Sequence, residues 1–219
     1  MRFFKKLFGL SKPSEYSDNF AKAAATLDRK RLNRGFERPP SFSVLIFQGH
    51  VGTHIPELLE ACNYQILKVG KAHGSVTNLH SQMGMPRGPN NSIVYKGYFS
   101  IPGFTVLLEP EMVLLTWGEA LAQFCRRFET KILFGIWERV SETAAIVEFD
   151  RNGLTRRTWY CQGSPSEQPE QQINPRSALM ARPDSEGLKL ALKESGVPVE
   201  QLFREVEITV YELTQKVTH

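Results

Sequence analysis

The stretch Lys131–Gln162, KILFGIWERVSETAAIVEFDRNGLTRRTWYCQ, decides the fold. Three extended segments stand out in it: Lys131–Val140, Thr143–Asp150 and Leu154–Gln162. Each is rich in β-branched and aromatic residues, which fit a pleated, half-buried surface. Ser141-Glu142 and Arg151-Asn152-Gly153 separate them, and Asn-Gly is a strong hairpin cue because its residues tolerate positive φ. Tight turns join only antiparallel neighbours, so this is a meander.

Working back towards the N-terminus, Ile93–Phe99, Thr105–Leu108 and Met112–Leu115 read as further strands, punctuated by Pro102-Gly103 and Glu109-Pro110. Thr116–Phe128 is the clearest helix. Trp117, Leu121, Phe124, Cys125 and Phe128 form one apolar stripe, and Thr116 with Glu119 makes a capping-box pattern. Phe42–Phe47, FSVLIF, reads as a buried strand. Ile55–Asn63 follows as a helix, with Pro56 tolerable in its first turn, and Tyr64–Val69 as a strand. This strand–helix–strand segment leaves room for some parallel pairing. Residues 70–92, rich in Gly, His, Ser, Asn and Pro, read as a long loop.

Beyond the meander, residues 163–183 are rich in Pro, Ser, Gln and Glu and read as a surface linker. Asp184–Ser195 is expected to be a helix capped by Asp184 and stopped by Gly196, Val199–Glu205 a short helix, and Glu207–Leu213 a last strand. Short strands outnumber helices. The expected fold is therefore α+β: a largely antiparallel sheet with helices packed on one face, forming a single domain over residues 41–219.

The chain has 219 residues and a formal charge of +4, unevenly spread. Residues 1–40 carry ten Lys/Arg against four Asp/Glu, so this arm is basic and the rest is slightly acidic. In MRFFKKLFGL, Phe3, Phe4, Leu7 and Phe8 fall on one helical face, with Lys5 and Lys6 on the other. Such a basic amphipathic segment suits the surface of an anionic membrane, and its phenylalanines equally suit docking on the body or on a partner. A second helix is expected over residues 19–33. The basic cluster Arg29–Arg34 offers a weaker nucleic-acid reading, which the acidic body does not support. No run of apolar residues is long enough for a transmembrane helix. The three cysteines (Cys62, Cys125 and Cys161) are scattered, which fits a reducing, cytoplasmic setting, peripheral to the inner membrane if the arm attaches there.

Candidate chemistry is sparse. His50 and His54 are four apart, and His73 or His80 is available to complete a zinc set for a metal-dependent hydrolase. The pair, however, begins in a Gly-flanked turn and lacks the Glu of an H-E-x-x-H helix. No Walker A, G-x-G-x-x-G or G-x-S-x-G sequence occurs. Glu109 and Glu111 flank Pro110, and Glu138, Glu142 and Glu148 read as a solvated sheet face. Trp137, Trp159 and Tyr160 read first as core packing; with Arg156 they are also candidates for a partner-binding strip, since aromatics and Arg dominate interface hot spots.

The run PGFTVLLEPEMVLL, the helix GEALAQFCRRF, the strand pair ILFGIWERVSETAAIVEFD and the hairpin NGLTRRTWYCQG, with Gly196-Val197-Pro198, VEQLF and ITVYEL behind them, resemble a family of uncharacterised bacterial α+β proteins. The resemblance covers about residues 93–213 and rests on turns and core positions. Such proteins are similar to the small immunity-type proteins of bacterial toxin systems. The resemblance implies a non-catalytic protein that binds another protein, such as a toxin domain, by surface complementarity and needs no cofactor.

Overall fold

A computed structural model describes residues 41–84, 93–138, 143–161, 164–165 and 184–216, of which 156–161 and 164–165 are described by their backbone alone. The basic arm, including Phe3, Phe4, Lys5, Lys6, Leu7 and Phe8, lies outside the described residues, as does most of the 163–183 linker.

The strands are β1 (Phe42–Gln48), β2 (Tyr64–Ser75), β3 (Ile93–Ile101), β4 (Phe104–Leu108), β5 (Ile132–Glu138), β6 (Thr143–Asp150), β7 (Gly153–Cys161), β8 (Ser164–Pro165) and β9 (Glu205–Gln215). They form one sheet in the order β2-β9-β3-β4-β1-β5-β6-β7-β8. Every pairing is antiparallel. The described helices are α1 (Ile55–Ala61), α2 (Val76–Met83), α3 (Gly118–Phe128), α4 (Ser185–Glu194) and α5 (Val199–Leu202). The α+β class with an antiparallel sheet is what the meander called for.

The continuous apolar run of β1 has a direct cause. The strand lies in mid-sheet between β4 and β5, and both of its faces are covered. Leu45 and Phe47 enter one core with α1 and α3, alongside Leu107, Phe134, Val147 and Leu213. Phe42, Val44 and Ile46 enter a second core with α2, α4 and α5, alongside Val106, Leu108, Ile146 and Ile208. The helices therefore cover both faces, not one. Alternation alone would have marked a half-buried strand; an unbroken apolar strand marks a sheet buried on both sides.

Other local expectations are corrected. No parallel pairing arises between β1 and β2, because β2 lies at the far edge beside β9. Residues 70–83 are not loop. Gly70–Ser75 continues β2 in register with Glu205–Val210, and Ser75 then caps α2, its side chain accepting from the Asn78 N–H. Met112–Leu115 is not a strand. Met112 sits at φ +56°, and the Glu109 carboxylate accepts from the Val113 N–H at 3.1 Å, which turns the chain into a short 3-10 helix, Val113–Thr116. Thr116 consequently donates to the Val113 carbonyl and does not cap α3, whose N-cap is Trp117. The predicted apolar stripe of α3 holds, with Leu121, Phe124 and Cys125 buried and Trp117 and Phe128 packed beside them. Asp184 caps α4, as expected, by accepting from the Gly187 N–H at 2.8 Å.

Candidate functional site

The predicted histidines are not brought together. His50 is exposed. His54, at the start of α1, bonds Glu57 at 2.8 Å and stacks on Phe128 of α3, at the helices of the first face. His73 lies on edge strand β2, 3.6 Å from Glu205. His80 is buried on α2, which packs on the second face. Among the described residues no group of three His, Cys, Asp or Glu side chains is placed to hold a metal ion.

The aromatic strip divides. Trp137 is buried and packs in the second core. The backbone sets Trp159 opposite Ala145, Tyr160 opposite Ala144 and Arg156 opposite Glu148, while their side chains lie outside the described residues.

Two polar constellations escaped the sequence reading. The first is built by register. Gly97 of β3 faces Leu108 of β4, so one step further Lys96 meets Glu109. Lys96 Nζ lies 2.5 Å from Glu109 Oε2 and 3.3 Å from Glu111 Oε2, and both Lys96 and Glu109 are fully buried. The ammonium also stands 5.0 Å from the Tyr64 ring centroid. Burial works against the Lys96 charge, but Glu109, Tyr64 and Glu111 outweigh it and hold its pKa above the usual lysine value. Burial pushes Glu109 up, opposed by Lys96. A carboxylate on each side of one ammonium keeps the proton on Lys96. Burial also pushes Tyr64 and Cys62 up to about 12, so neither offers an anionic nucleophile at neutral pH. This is an internal ionic brace tying β3 to β4.

The second constellation resembles a nucleophile and its base. Ser43 Oγ is 3.0 Å from His80 Nε2. Ser43 has a single hydroxyl hydrogen, and it goes to the Glu109 carbonyl in a short bond. His80 must therefore donate from Nε2 to Ser43 and cannot take the serine proton. Burial lowers the His80 pKa to about 4, which keeps the ring neutral in this role. The pair pins α2 to β1 and β4.

A groove of about 380 Å³ opens beside the end of α4, with Ile46, Phe104 and Leu133 below and Lys131, Glu148, Asp150 and Glu194 around it. Glu148 and Glu194 both have interaction partners, so their charge is already engaged.

The remaining feature is β2. It ends the sheet, and among the described residues only β9 pairs with it. A β-bulge falls at Leu67, between the Ile66 and Lys68 pairings. Leu67 and Val69 are 47% and 56% exposed, two of the three large exposed hydrophobics among the described residues. The opposite edge, β8, is only two residues long and contains Pro165.

No helix of the described residues is long and apolar enough to cross a membrane. Comparison of this chain with protein-family models, with curated proteins and with solved structures finds no match in any of the three.

Proposed function

We propose that this protein works without catalysis, as a binding protein that recognises another protein by surface complementarity, in the manner of the immunity-type proteins its 93–213 segment resembles. The observation that carries the reading is the edge of β2, which among the described residues pairs only with β9 and where Leu67 and Val69 are exposed. Exposed edges invite pairing with another chain, and strand addition is a recurrent mode of protein recognition. The interior groups that could do chemistry are committed elsewhere: Lys96 to Glu109, and Ser43 to both Glu109 and His80.

A toxin domain is the partner class the resemblance suggests. Free, buried Cys62 and Cys125 fit a reducing compartment. The basic amphipathic start supports a position at the inner face of an anionic membrane. Both belong to the same proposal.

The test uses the tagged full-length chain as bait in its native lysate, with stoichiometric partners identified by mass spectrometry. One protein partner surviving moderate salt supports the reading. Recovery of the bait alone, across salt and detergent conditions, overturns it.

A further inference from the structure

We infer that the outer edge of β2 receives an extended segment of a partner protein that alternates apolar and acidic residues, adding a strand next to Lys68–Ser75. The inference rests on the protein-binding reading above and names the chemistry of the partner.

The available edge is defined by register. Past the bulge at Leu67, residues 68 to 75 run without interruption against Glu212 to Glu205. At about 3.3 Å per residue, this offers a straight edge of roughly 26 Å, the length of an ordinary strand. The bulge and the lysines would discourage indiscriminate pairing, and they select a partner instead of abolishing the edge.

Charge complementarity selects it. From Tyr64 to Ser75 the strand carries Lys68, Lys71 and His73 and no carboxylate. Its inner neighbour shows what this strand accepts. On β9, Glu212 stands opposite Lys68, Glu207 bonds Lys71 at 2.6 Å, and Glu205 lies 3.6 Å from His73. The apolar positions match too, since Val69 faces Tyr211. β9 reads EVEITVYELTQ, and at the two positions that matter it sets acidic Glu212 against Lys68 and Tyr211 against Val69. Among the described residues the outer side has no such neighbour. Lys68 is exposed and makes no ion pair among the described residues, and Val69 is 56% exposed. A strand of β9-like chemistry would pair the one and cover the other. A second copy of this chain fits less well, because antiparallel self-pairing of β2 gathers four lysines on one seam, and like charges facing each other destabilise a strand pair.

The probe is a synthetic peptide alternating Glu with Val and Thr, long enough to span Lys68–Ser75, added to the full-length protein. A second peptide carries Lys in place of Glu. Amide hydrogen exchange across residues 64–75 is the readout. The acidic peptide is expected to slow exchange in 68–75 by about tenfold or more at saturation, because edge amides otherwise face water. Lys68→Glu is expected to weaken that effect by about tenfold while leaving the fold intact, as reversing one cross-strand charge pair does. Equal protection by both peptides, no protection by either, or protection that appears with protein concentration alone overturns the inference; the last would assign the edge to a second copy. The two proposals fail separately. A lysate partner still captured by Lys68→Glu leaves the binding function standing and removes the edge. A bait recovered alone, with the peptide still bound, does the reverse.

Discussion

Lys96 and Glu109 face each other across β3 and β4 at 2.5 Å, with neither side chain reaching solvent. A buried ion pair gains little net stability over an apolar pair of the same shape, yet removing one partner strands the other's charge. Lys96→Met is therefore expected to cost about 3–5 kcal/mol. Glu109→Gln should cost about as much, since it leaves the ammonium with only the half-exposed Glu111. The double variant Lys96→Met/Glu109→Leu should recover most of that loss. Urea unfolding of the four proteins checks it, and additive losses in the double variant would contradict the coupling.

Asp184 caps α4 through the Gly187 N–H at 2.8 Å. Removing such a cap leaves a helix-end donor without its partner. Asp184→Ala should lower stability by about 1 kcal/mol and Asp184→Ser by much less, because Ser supplies an equivalent oxygen. The midpoint of urea unfolding measures both.

The sheet was legible in the sequence wherever the pattern was local. The meander announced itself through Asn152-Gly153, and in the structure Gly153 takes the positive φ that the turn requires, at +104°. The stripe of α3 and the cap of α4 were equally direct. The second half of β2 was not, because GKAHGS carries no strand pattern of its own and is held by β9, more than a hundred residues away. α2 was legible in principle: Ser75 precedes Val76, Leu79 and Met83 at helical spacing, and His80 falls on the same stripe, which marks it as a core histidine. Lys96 and Glu109 could not be paired from sequence, since only the register of β3 on β4 joins them. The β2 edge was hidden for the same reason: which strand ends a sheet is a property of topology.

Gly97 lies where β3 passes beneath α2. A Cβ built there would stand 2.6 Å from Ile208 Cδ1 and 3.3 Å from Met83 Sδ. Both neighbours are flexible side-chain ends in the second core, so the core can shift but must lose packing to do so. Gly97→Ala should destabilise the protein by about 1–3 kcal/mol, as overpacking usually does. Adding Ile208→Val, which removes the atom in closest conflict, should restore part of that loss. Thermal unfolding of the single and double variants tests the compensation, and a double variant that is simply worse would refute it.

His80 sets an acid limit on the fold. Buried against Ser43, it takes up a proton only near pH 4, whereas in the unfolded chain it does so near 6.5. Between those values the unfolded state binds more protons, so stability falls as pH falls through this interval. The contribution is complete above pH 6.5 and gone below about pH 4, and amounts to about 3 kcal/mol over the whole span. His80→Gln keeps an N–H donor for the Ser43 oxygen and removes the titration. Its stability should therefore lie below that of the parent at pH 7 and decline less steeply from pH 6.5 to 4.5, while the carboxylates, common to both proteins, contribute equally to the two slopes. Urea unfolding in steps of pH measures both slopes. Parallel slopes for the parent and His80→Gln would show that His80 is already protonated or solvent-exposed in the folded protein, and the Ser43–His80 pin would then be ruled out.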